Sequence, residues 1–473
     1  MSNGGDYRGA DMASWQEARL ISVAGISGDK EAEQRATSAL LAVMTIVRPF
    51  SKSLLSPIGA TKADKAHVEA FLETSFKLGS GKTVRPDGLI RISYGKQDPW
   101  ICLVEVKTGA SKLDQQQVES YVEVAKSEGF DCVLTISNEI PPTDGVHPCG
   151  IKLRANSKVD LAHISWTRVL TTAVMERVHR GVADPEQSWI LGELIRYLEH
   201  PSSGTLGFDD MGENWISIRD GAREGTLSKK TEGISDIAQR WDQLFGFASL
   251  KLGADIGRDV TELVPRAHLN DPGLRTKAFV ESLINDGSLA ATLRIPDTVA
   301  DLDVSVDLKA RQNIIETTFD APSDKGGKGR IGWLVRQLKD APENLVIEAY
   351  AKNARTGIAA TLADVREEST VLIGEDKKEP VKFRLVARSE MGLGRRAGKK
   401  PGFAQALIIS IESFYGDVLQ NLTAYQAKAP KLQRPRPAEV ASEPLPTIDL
   451  IEPPVIASSS DVAAAMQRWS VDW

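Results

Sequence analysis

The chain has 473 residues and a formal net charge of −6; 41% of its residues are hydrophobic and 26% are charged. This is the composition of an ordinary globular protein, and the negative charge argues against coating nucleic acid by overall charge alone. No apolar run is long enough to span a membrane, and the polar first residues lack the apolar core of a secretory signal. We therefore expect a cytoplasmic protein with two or three domains and no membrane partner.

The cysteines and histidines give no sign of a zinc or disulfide protein. The three cysteines, Cys102, Cys132 and Cys149, have no metal-ligand spacing, and the six histidines are scattered. Cys102 and Cys132 lie in apolar, strand-like runs, which predicts buried free thiols in a reducing compartment.

The first 180 residues have the pattern of one α/β domain, preceded by a flexible lead-in at residues 1–28. A helix begins near Lys30, has apolar residues at helical spacing, and is predicted to end at Pro49. Three strands, an amphipathic helix closed by Gly129 and a further strand follow, at 67–78, 83–93, 100–108, 112–128 and 131–137. The last helix-to-strand step predicts a parallel, right-handed crossover. A strand at 161–165 and a covering helix at 166–179 complete this domain.

The remaining chain divides into four parts. Residues 181–257 predict a helical connector interrupted by a strand-like segment at 215–218, and residues 258–425 predict an α+β domain. Strands of that domain are predicted at 288–295, 301–308, 313–319, 344–350, 381–387 and 404–411, and helices at 271–284 and 330–339. The proline-rich residues 426–458 predict an extended linker. Residues 459–473 predict a short helix, which either docks on a protein partner or folds back on its own chain.

The residues most indicative of function lie between positions 84 and 107. Asp87 stands at the start of one strand-like segment, and the next apolar segment carries Glu105 and Lys107. Because side chains alternate across a strand, Glu105 and Lys107 share one face. A run this apolar predicts a strand covered on both faces, where charges are costly unless they are paired or bind a metal.

These residue types suit metal-assisted hydrolysis of a phosphodiester bond. Asp87 and Glu105 offer carboxylate oxygens from adjacent strands and the Val106 carbonyl offers a third oxygen, which are ligands that Mg²⁺ prefers. Lys107 is placed to hold or deprotonate the attacking water. Two other interpretations stay open: Glu105 and Lys107 as a salt-bridged pair on a solvated edge strand, and Asp87 as a turn residue.

The motif resembles that of a known nuclease superfamily. Pro86-Asp87, a gap of 17 residues and then Glu105-Val106-Lys107 are similar to the PD-(D/E)xK motif. Gln117 and Tyr121, which i, i+4 spacing places on one face of the next helix, resemble the QxxxY element of one branch of that superfamily. The resemblance covers residues 29–180, about a third of the chain.

The resemblance implies a restriction-endonuclease-like core of helix, three-strand meander, helix and strand. It implies a Mg²⁺-dependent nuclease, with Mn²⁺ able to substitute, that hydrolyses DNA in repair or in defence against foreign DNA. A homodimer is implied where such enzymes cut both strands. The implied metal ligands are Asp87, Glu105 and the Val106 carbonyl. The implied catalytic residues are Asp87, Glu105, Lys107, Gln117, Tyr121 and the first-helix acid Glu33.

Alternatives remain for several of these assignments. Gln117 and Tyr121 also fit ordinary helix surface and core, and Glu33 fits a partner of the helix dipole. RNA stays open as a substrate because such a metal site acts on phosphate, and the alternative function is a catalytically silent nuclease-fold scaffold that binds nucleic acid or protein partners. The basic run at 394–400 predicts either a solvated loop or a DNA-contacting surface formed by Arg395, Arg396, Lys399 and Lys400.

Overall fold

The computed structural model describes residues 19–426, apart from 24, 27, 62–64, 142–146, 155, 206 and 375–377. Most of the lead-in predicted for 1–28 lies outside the described residues. Apart from residue 426, so do the predicted linker at 426–458 and the predicted helix at 459–473. Within the described part the protein is a mixed α/β structure built on two large sheets and one small hairpin.

The first sheet comes from residues 67–165 and has helices on both sides. In chain order the elements are α1 (Asp29–Ile46), α2 (Arg48–Leu55), β1 (His67–Leu72), β2 (Phe76–Lys77), β3 (Thr83–Val84), β4 (Gly88–Ser93), β5 (Trp100–Val106), α3 (Gln115–Glu128), β6 (Cys132–Ser137), β7 (Asp160–Ser165), α4 (Trp166–Val174) and α5 (Pro185–Leu198). The strand order is β1-β4-β5-β6-β7. The first three of these strands are antiparallel, whereas β6 and β7 run parallel to β5. The predicted order of helix, three antiparallel strands, helix and parallel strand is therefore present.

Alternating side chains of this sheet enter two separate cores. Val104 and Leu134 face α1, α2, α4 and α5. Leu103 and Val133 face α3 on the opposite side. Because both faces are covered, β5 is almost continuously apolar, as parallel-sheet strands usually are. Glu105 alternates with Val104 and therefore lies on the α3 face.

Several boundaries in this region differ from the prediction. The first helix ends at Ile46, and Pro49 lies in the first turn of α2 instead of ending α1. A proline is tolerated there because the N–H that it lacks would have no partner inside the helix. The strand predicted over 67–78 is broken at Glu73, whose φ of 53° lies in the left-handed region. The break separates β1 from the small β2–β3 hairpin. The strand predicted over 83–93 is broken as well: β3 ends at Val84 and β4 begins at Gly88, so Asp87 lies in the connection directly before β4.

The second sheet has seven antiparallel strands in the order β13-β12-β14-β11-β10-β9-β8. In chain order its region contains α6 (Trp215–Glu224), α7 (Ile234–Ile256), β8 (Thr261–Glu262), α8 (Arg266–Asn270), α9 (Pro272–Asn285), β9 (Ser288–Arg294), β10 (Leu302–Asp307), β11 (Gln312–Asp320), α10 (Gly327–Gln337), β12 (Val346–Ala351), β13 (Ile358–Thr361), α11 (Leu362–Glu367), β14 (Pro380–Glu390) and α12 (Phe403–Asp417). One face of the sheet packs on helices, and the hydrophobic core between them consists of residues from Met211 to Leu422. The predicted helical connector is thus shared, because α5 packs on the first sheet whereas α6 and α7 pack on the second.

Two segments predicted as strands are helices. Residues 215–218 begin α6, in which Trp215, Ile218 and Ala222 are buried at helical spacing. Residues 404–411 lie inside α12, which buries residues on one side along four turns. Short apolar runs satisfy the periods of both strand and helix, so length decides between them. Both helices extend well beyond the windows that suggested strands.

By length and composition, no single helix in the described ranges could cross a membrane, although α1 and the segment 48–58 pass that test jointly as a pair bent by 110°. The apolar side chains of this pair, among them Leu40, Met44 and Phe50, pack in the core of the first sheet.

Candidate active site

Asp87 and Glu105 lie side by side at one end of the first sheet. Gly88 pairs with Val104 in the antiparallel register of β4 and β5, so the preceding residue, Asp87, stands opposite Glu105. The Asp87 carboxylate is fixed across the strands, because its Oδ2 accepts a hydrogen bond from the Val106 backbone N–H at 2.8 Å. The two predicted carboxylates are therefore neighbours on the α3 face.

The Lys107 ammonium group contacts three oxygen atoms next to this carboxylate pair. Its Nζ lies 2.6 Å from Glu105 Oε1, 3.2 Å from Glu33 Oε1 and 3.1 Å from the Val106 carbonyl oxygen. Glu105 is only 1% exposed, and the Lys107 side chain is 14% exposed. The buried ammonium shows that these oxygens favour positive charge at one position. Glu33, which α1 supplies, reaches the carboxylate pair through Lys107.

Burial controls the protonation of this group. It raises the pKa of Glu105 to about 7, the charge of Asp87 adds to this rise, and Lys107 opposes it. Burial also acts to lower the pKa of Lys107, but the charges of Glu105, Glu33 and Asp87 outweigh burial and raise it. At neutral pH, Lys107 is therefore charged while Glu105 is close to its titration midpoint.

The donor set fits a hard divalent cation. Glu105 Oε2 is buried and has no hydrogen-bond partner among the described residues. Together with the carboxylate of Asp87 and the carbonyl of Val106, it gives the all-oxygen surroundings that Mg²⁺ or Mn²⁺ accepts. In the same part of the chain, no three His, Cys, Asp or Glu side chains converge closely enough to hold a metal by themselves. A metal at this position would rely on two carboxylates, a carbonyl and water.

Through Tyr121, the Gln117–Tyr121 pair attaches α3 to the chain segment just before Asp87. Asp114 caps this helix by accepting a hydrogen bond from the Gln117 N–H at 2.7 Å. The Gln117 side chain donates to the Tyr121 hydroxyl at 2.9 Å, and that hydroxyl donates to the Arg85 carbonyl at 3.2 Å. Burial and the charge of Glu105 raise the pKa of Tyr121, so the phenol stays neutral and remains a donor. The pair therefore fixes the backbone two residues before Asp87.

A second polar cluster, which the sequence analysis did not identify, continues the row across the sheet. Thr135 pairs with Glu105 in the β5–β6 register, and His163 pairs with Thr135 in the β6–β7 register. The Thr135 hydroxyl lies 2.8 Å from His147 Nε2 and 2.8 Å from His163 Nδ1. Burial lowers the pKa of both histidines to about 4, so both rings are neutral at pH 7.

The tautomers of these histidines follow from their other partners. His147 Nδ1 accepts from the Cys149 N–H at 3.3 Å, so Nε2 carries the proton that is donated to Thr135. His163 Nε2 donates to the Glu139 carbonyl at 2.8 Å, which leaves Nδ1 to accept the Thr135 proton. The Thr135 hydroxyl and all four ring nitrogens of the two histidines therefore have hydrogen-bond partners. Sequence spacing gave no signal for it, because its members come from separate segments.

Trp166 is another residue missed by sequence reasoning, and it supports the backbone of Lys107. Its indole Nε1 donates to the Lys107 carbonyl at 2.9 Å. Lys107 N–H in turn donates to the Ile136 carbonyl at 2.8 Å, so the lysine is held from β6 and from the start of α4. A tryptophan after a strand carries no sequence signal for such a contact.

The basic run predicted to contact DNA belongs to a loop before α12. Arg395 and Arg396 both pair with Asp210, at 3.1 and 2.8 Å. Lys399 and Lys400 are exposed. Two of the four predicted cations are thus partly neutralised by one carboxylate, which leaves the lysines as the stronger candidates for a phosphate contact.

No known protein family, curated protein or solved structure matches this chain.

Proposed function

We propose that the protein is a Mg²⁺-dependent nuclease that hydrolyses phosphodiester bonds of DNA. The observation that carries this proposal is the group of Asp87, Glu105 and Lys107 at the ends of neighbouring strands. Within it Glu105 is buried, and its Oε2 accepts no hydrogen bond of ordinary geometry in the described part of the chain. A buried carboxylate beside a half-buried one opposes folding unless positive charge compensates both. Lys107 brings only one positive charge to this pair, so the arrangement favours a site for a further cation and its substrate.

The topology supports the proposal. A helix, three antiparallel strands, a helix and a parallel strand are the elements of the restriction-endonuclease-like core that the PD-(D/E)xK resemblance implies. Asp87 lies directly before the second strand of the meander, Glu105 lies at the end of the third, and Lys107 directly follows it. Gln117 and Tyr121 lie on the following helix, where they bond to each other, and Tyr121 also donates to the Arg85 carbonyl, two residues before Asp87. This arrangement supports the proposal.

Each residue of the site would have a separate role in hydrolysis. Asp87, Glu105 and the Val106 carbonyl would hold Mg²⁺, which neutralises charge on the phosphate and lowers the pKa of a bound water. Lys107 brings a positive charge next to the carboxylates and orients the attacking water or the leaving oxygen. Gln117 and Tyr121 position Asp87 through the backbone, and Glu33 holds Lys107. We propose DNA repair or defence against foreign DNA as the cellular role.

The direct test is cleavage of linear, branched and supercoiled DNA with Mg²⁺, Mn²⁺ or EDTA. Asp87→Asn and Glu105→Gln should each reduce metal-dependent cleavage at least about 100-fold. Lys107→Met should lower turnover while leaving DNA affinity nearly unchanged. Asp98→Asn is the matched control, because Asp98 is exposed in the β4–β5 turn at the far end of the same sheet.

The outcomes separate the two candidate functions. Cleavage by the wild type and the control but not by the site variants would establish the nuclease. Full activity in Asp87→Asn would contradict the metal-ligand assignment. Binding of DNA without cleavage, by a folded protein with metal present, would refute the enzyme and favour the catalytically silent scaffold.

A further inference from the structure

The β2–β3 hairpin projects from the chain just before Asp87, and its inner and outer sides differ in character. Phe76 and Val84 are directly paired and pack toward α3. Phe76 also meets Phe130 edge to face, with ring centroids 5.7 Å apart. Lys77 and Thr83, the other pair, are exposed. The apolar side thus fixes the hairpin on the domain, and the outer side faces solvent.

The tip of the hairpin is short, exposed and nearly free of side chains. It reads Gly79-Ser80-Gly81, and the turn is closed by hydrogen bonds from Leu78 N–H to the Lys82 carbonyl and from Gly81 N–H to the Leu78 carbonyl, each 2.8 Å. Gly81 has a φ of +82°, and a Cβ added there would meet no atom within 4 Å. A ligand backbone can therefore approach the chain closely at this tip.

The hairpin carries only positive charge. Residues 74–86 contain Lys77, Lys82 and Arg85 and no acidic residue. Arg85 pairs at 3.5 Å with Glu73, and both side chains remain well exposed. For Lys77 and Lys82 no ion pair is found within the described ranges. Their charges are therefore available to a ligand, unlike those of Arg395 and Arg396.

The hairpin is also close to the carboxylate pair. Lys82 precedes Asp87 by five residues, which limits their separation to about 18 Å even for a fully extended chain. Tyr121 fixes the end of the hairpin through the Arg85 carbonyl, two residues before Asp87. Because each strand of duplex DNA carries a phosphate about every 3.4 Å along the axis, this reach corresponds to about five phosphates.

We propose that the β2–β3 hairpin is a phosphate-binding arm that holds the DNA backbone beside the carboxylate pair, with Lys77 and Lys82 as its contacts. This inference rests on the proposed nuclease function and identifies a surface that binds the DNA substrate. The contacts are electrostatic and carry no base specificity, so the arm affects affinity for every sequence equally.

The test compares two double variants that lose the same charge. Lys77→Gln/Lys82→Gln removes the two unpaired lysines of the arm. Lys96→Gln/Lys158→Gln removes two exposed lysines that lie at the opposite end of the first sheet, in the β4–β5 turn and just before β7. Binding of a short DNA duplex is measured by fluorescence anisotropy in EDTA, so that no cleavage occurs, over a series of salt concentrations.

The arm variant should bind more weakly, and its slope of log affinity against log salt should fall by about 2, close to one unit for each phosphate that a lysine no longer neutralises. The control should keep the slope of the wild type. With Mg²⁺ and DNA well below saturation, the arm variant should cleave more slowly than the wild type, in proportion to its lost affinity, whereas the control variant should not. An arm variant whose slope equals that of the wild type would overturn the arm, whether or not the wild type cuts DNA. A wild type that binds through these lysines but does not cut would uphold the arm and refute the nuclease.

Discussion

Glu105 should hold a proton up to about pH 7 and release it when a divalent cation binds. Burial raises the pKa of this carboxyl from 4.5 to about 7, and the side chain is 1% exposed, so solvent screens it little. The rise corresponds to about 3 kcal/mol of disfavoured ionisation. Because a metal binds only the ionised carboxylate, binding below this pKa must displace the proton.

The expected number of protons follows from the pKa. The carboxyl is mostly protonated below its pKa and mostly ionised above it, so Mg²⁺ binding should release close to one proton per site on the acid side of pH 7 and progressively fewer as the pH rises above it. Apparent Mg²⁺ affinity should rise about tenfold per pH unit below pH 7 and level off above it. Charge repulsion by Asp87 contributes to the raised pKa, so Asp87→Asn should move this profile to lower pH.

Isothermal titration calorimetry in buffers of different ionisation enthalpy measures the proton release directly. Glu105→Gln should show none, whereas Glu128→Gln, which changes an exposed glutamate on α3, should match the wild type. Equal proton release by Glu105→Gln and the wild type would refute Glu105 as the titrating ligand. Metal binding with no dependence on pH between 6 and 8 would refute the raised pKa.

The same pKa can be tested without metal. A folded-state pKa above the unfolded value means that the folded protein holds more protons between about pH 4.5 and 7, so its stability falls as pH rises through that window. In EDTA, Glu105→Gln should therefore gain stability relative to the wild type between pH 5 and 8, by up to about 3 kcal/mol. A constant difference in thermal midpoint over that range would contradict the burial argument.

Two further predictions concern the surroundings of the site. Tyr121→Phe keeps the buried ring but removes the hydroxyl that donates to Arg85, so turnover should fall about 10- to 100-fold while circular dichroism shows an intact fold. Tyr94→Phe, in the exposed β4–β5 turn, is the control. Unchanged turnover in Tyr121→Phe would show that the hydrogen bond to Arg85 does not position Asp87. Replacing the four cations of the loop before α12 with glutamine should lower the salt slope of DNA binding by about 2 instead of about 4, because Asp210 already pairs with the two arginines. An unchanged slope would identify that segment as a solvated loop. The four positions are Arg395, Arg396, Lys399 and Lys400.

Local pattern was enough to predict much of the first sheet and the grouping of its charged residues. The alternation in β5 predicted that Glu105 and Lys107 share a face, and their side chains are in contact. The i, i+4 spacing predicted that Gln117 and Tyr121 share a face, and they are hydrogen-bonded. Strand register and helical spacing are short-range properties, which a single sequence carries.

The features missed by the sequence analysis depend on contacts between distant segments. Thr135, His147 and His163 meet only because β6 and β7 pair in parallel and the intervening chain returns over the sheet. No periodicity signals such a meeting. The hairpin of β2 and β3 was missed because each of its strands was assigned to a longer neighbouring strand. The left-handed backbone at Glu73 separates β1 from β2, and the connection before Gly88 separates β3 from β4.

Glu105, Thr135 and His163 are neighbours across the first sheet, but only the carboxylate pair of Asp87 and Glu105 indicates a function. Thr135 and its two neutral histidines satisfy one another, so their burial has a structural explanation. Glu105 differs, because it stands beside a second carboxylate and one of its oxygens has no partner in the described part of the chain. An apolar side chain at that position would stabilise the fold more than an acid does. A side chain that opposes folding in the middle of a covered sheet is expected where binding a cation offsets its cost.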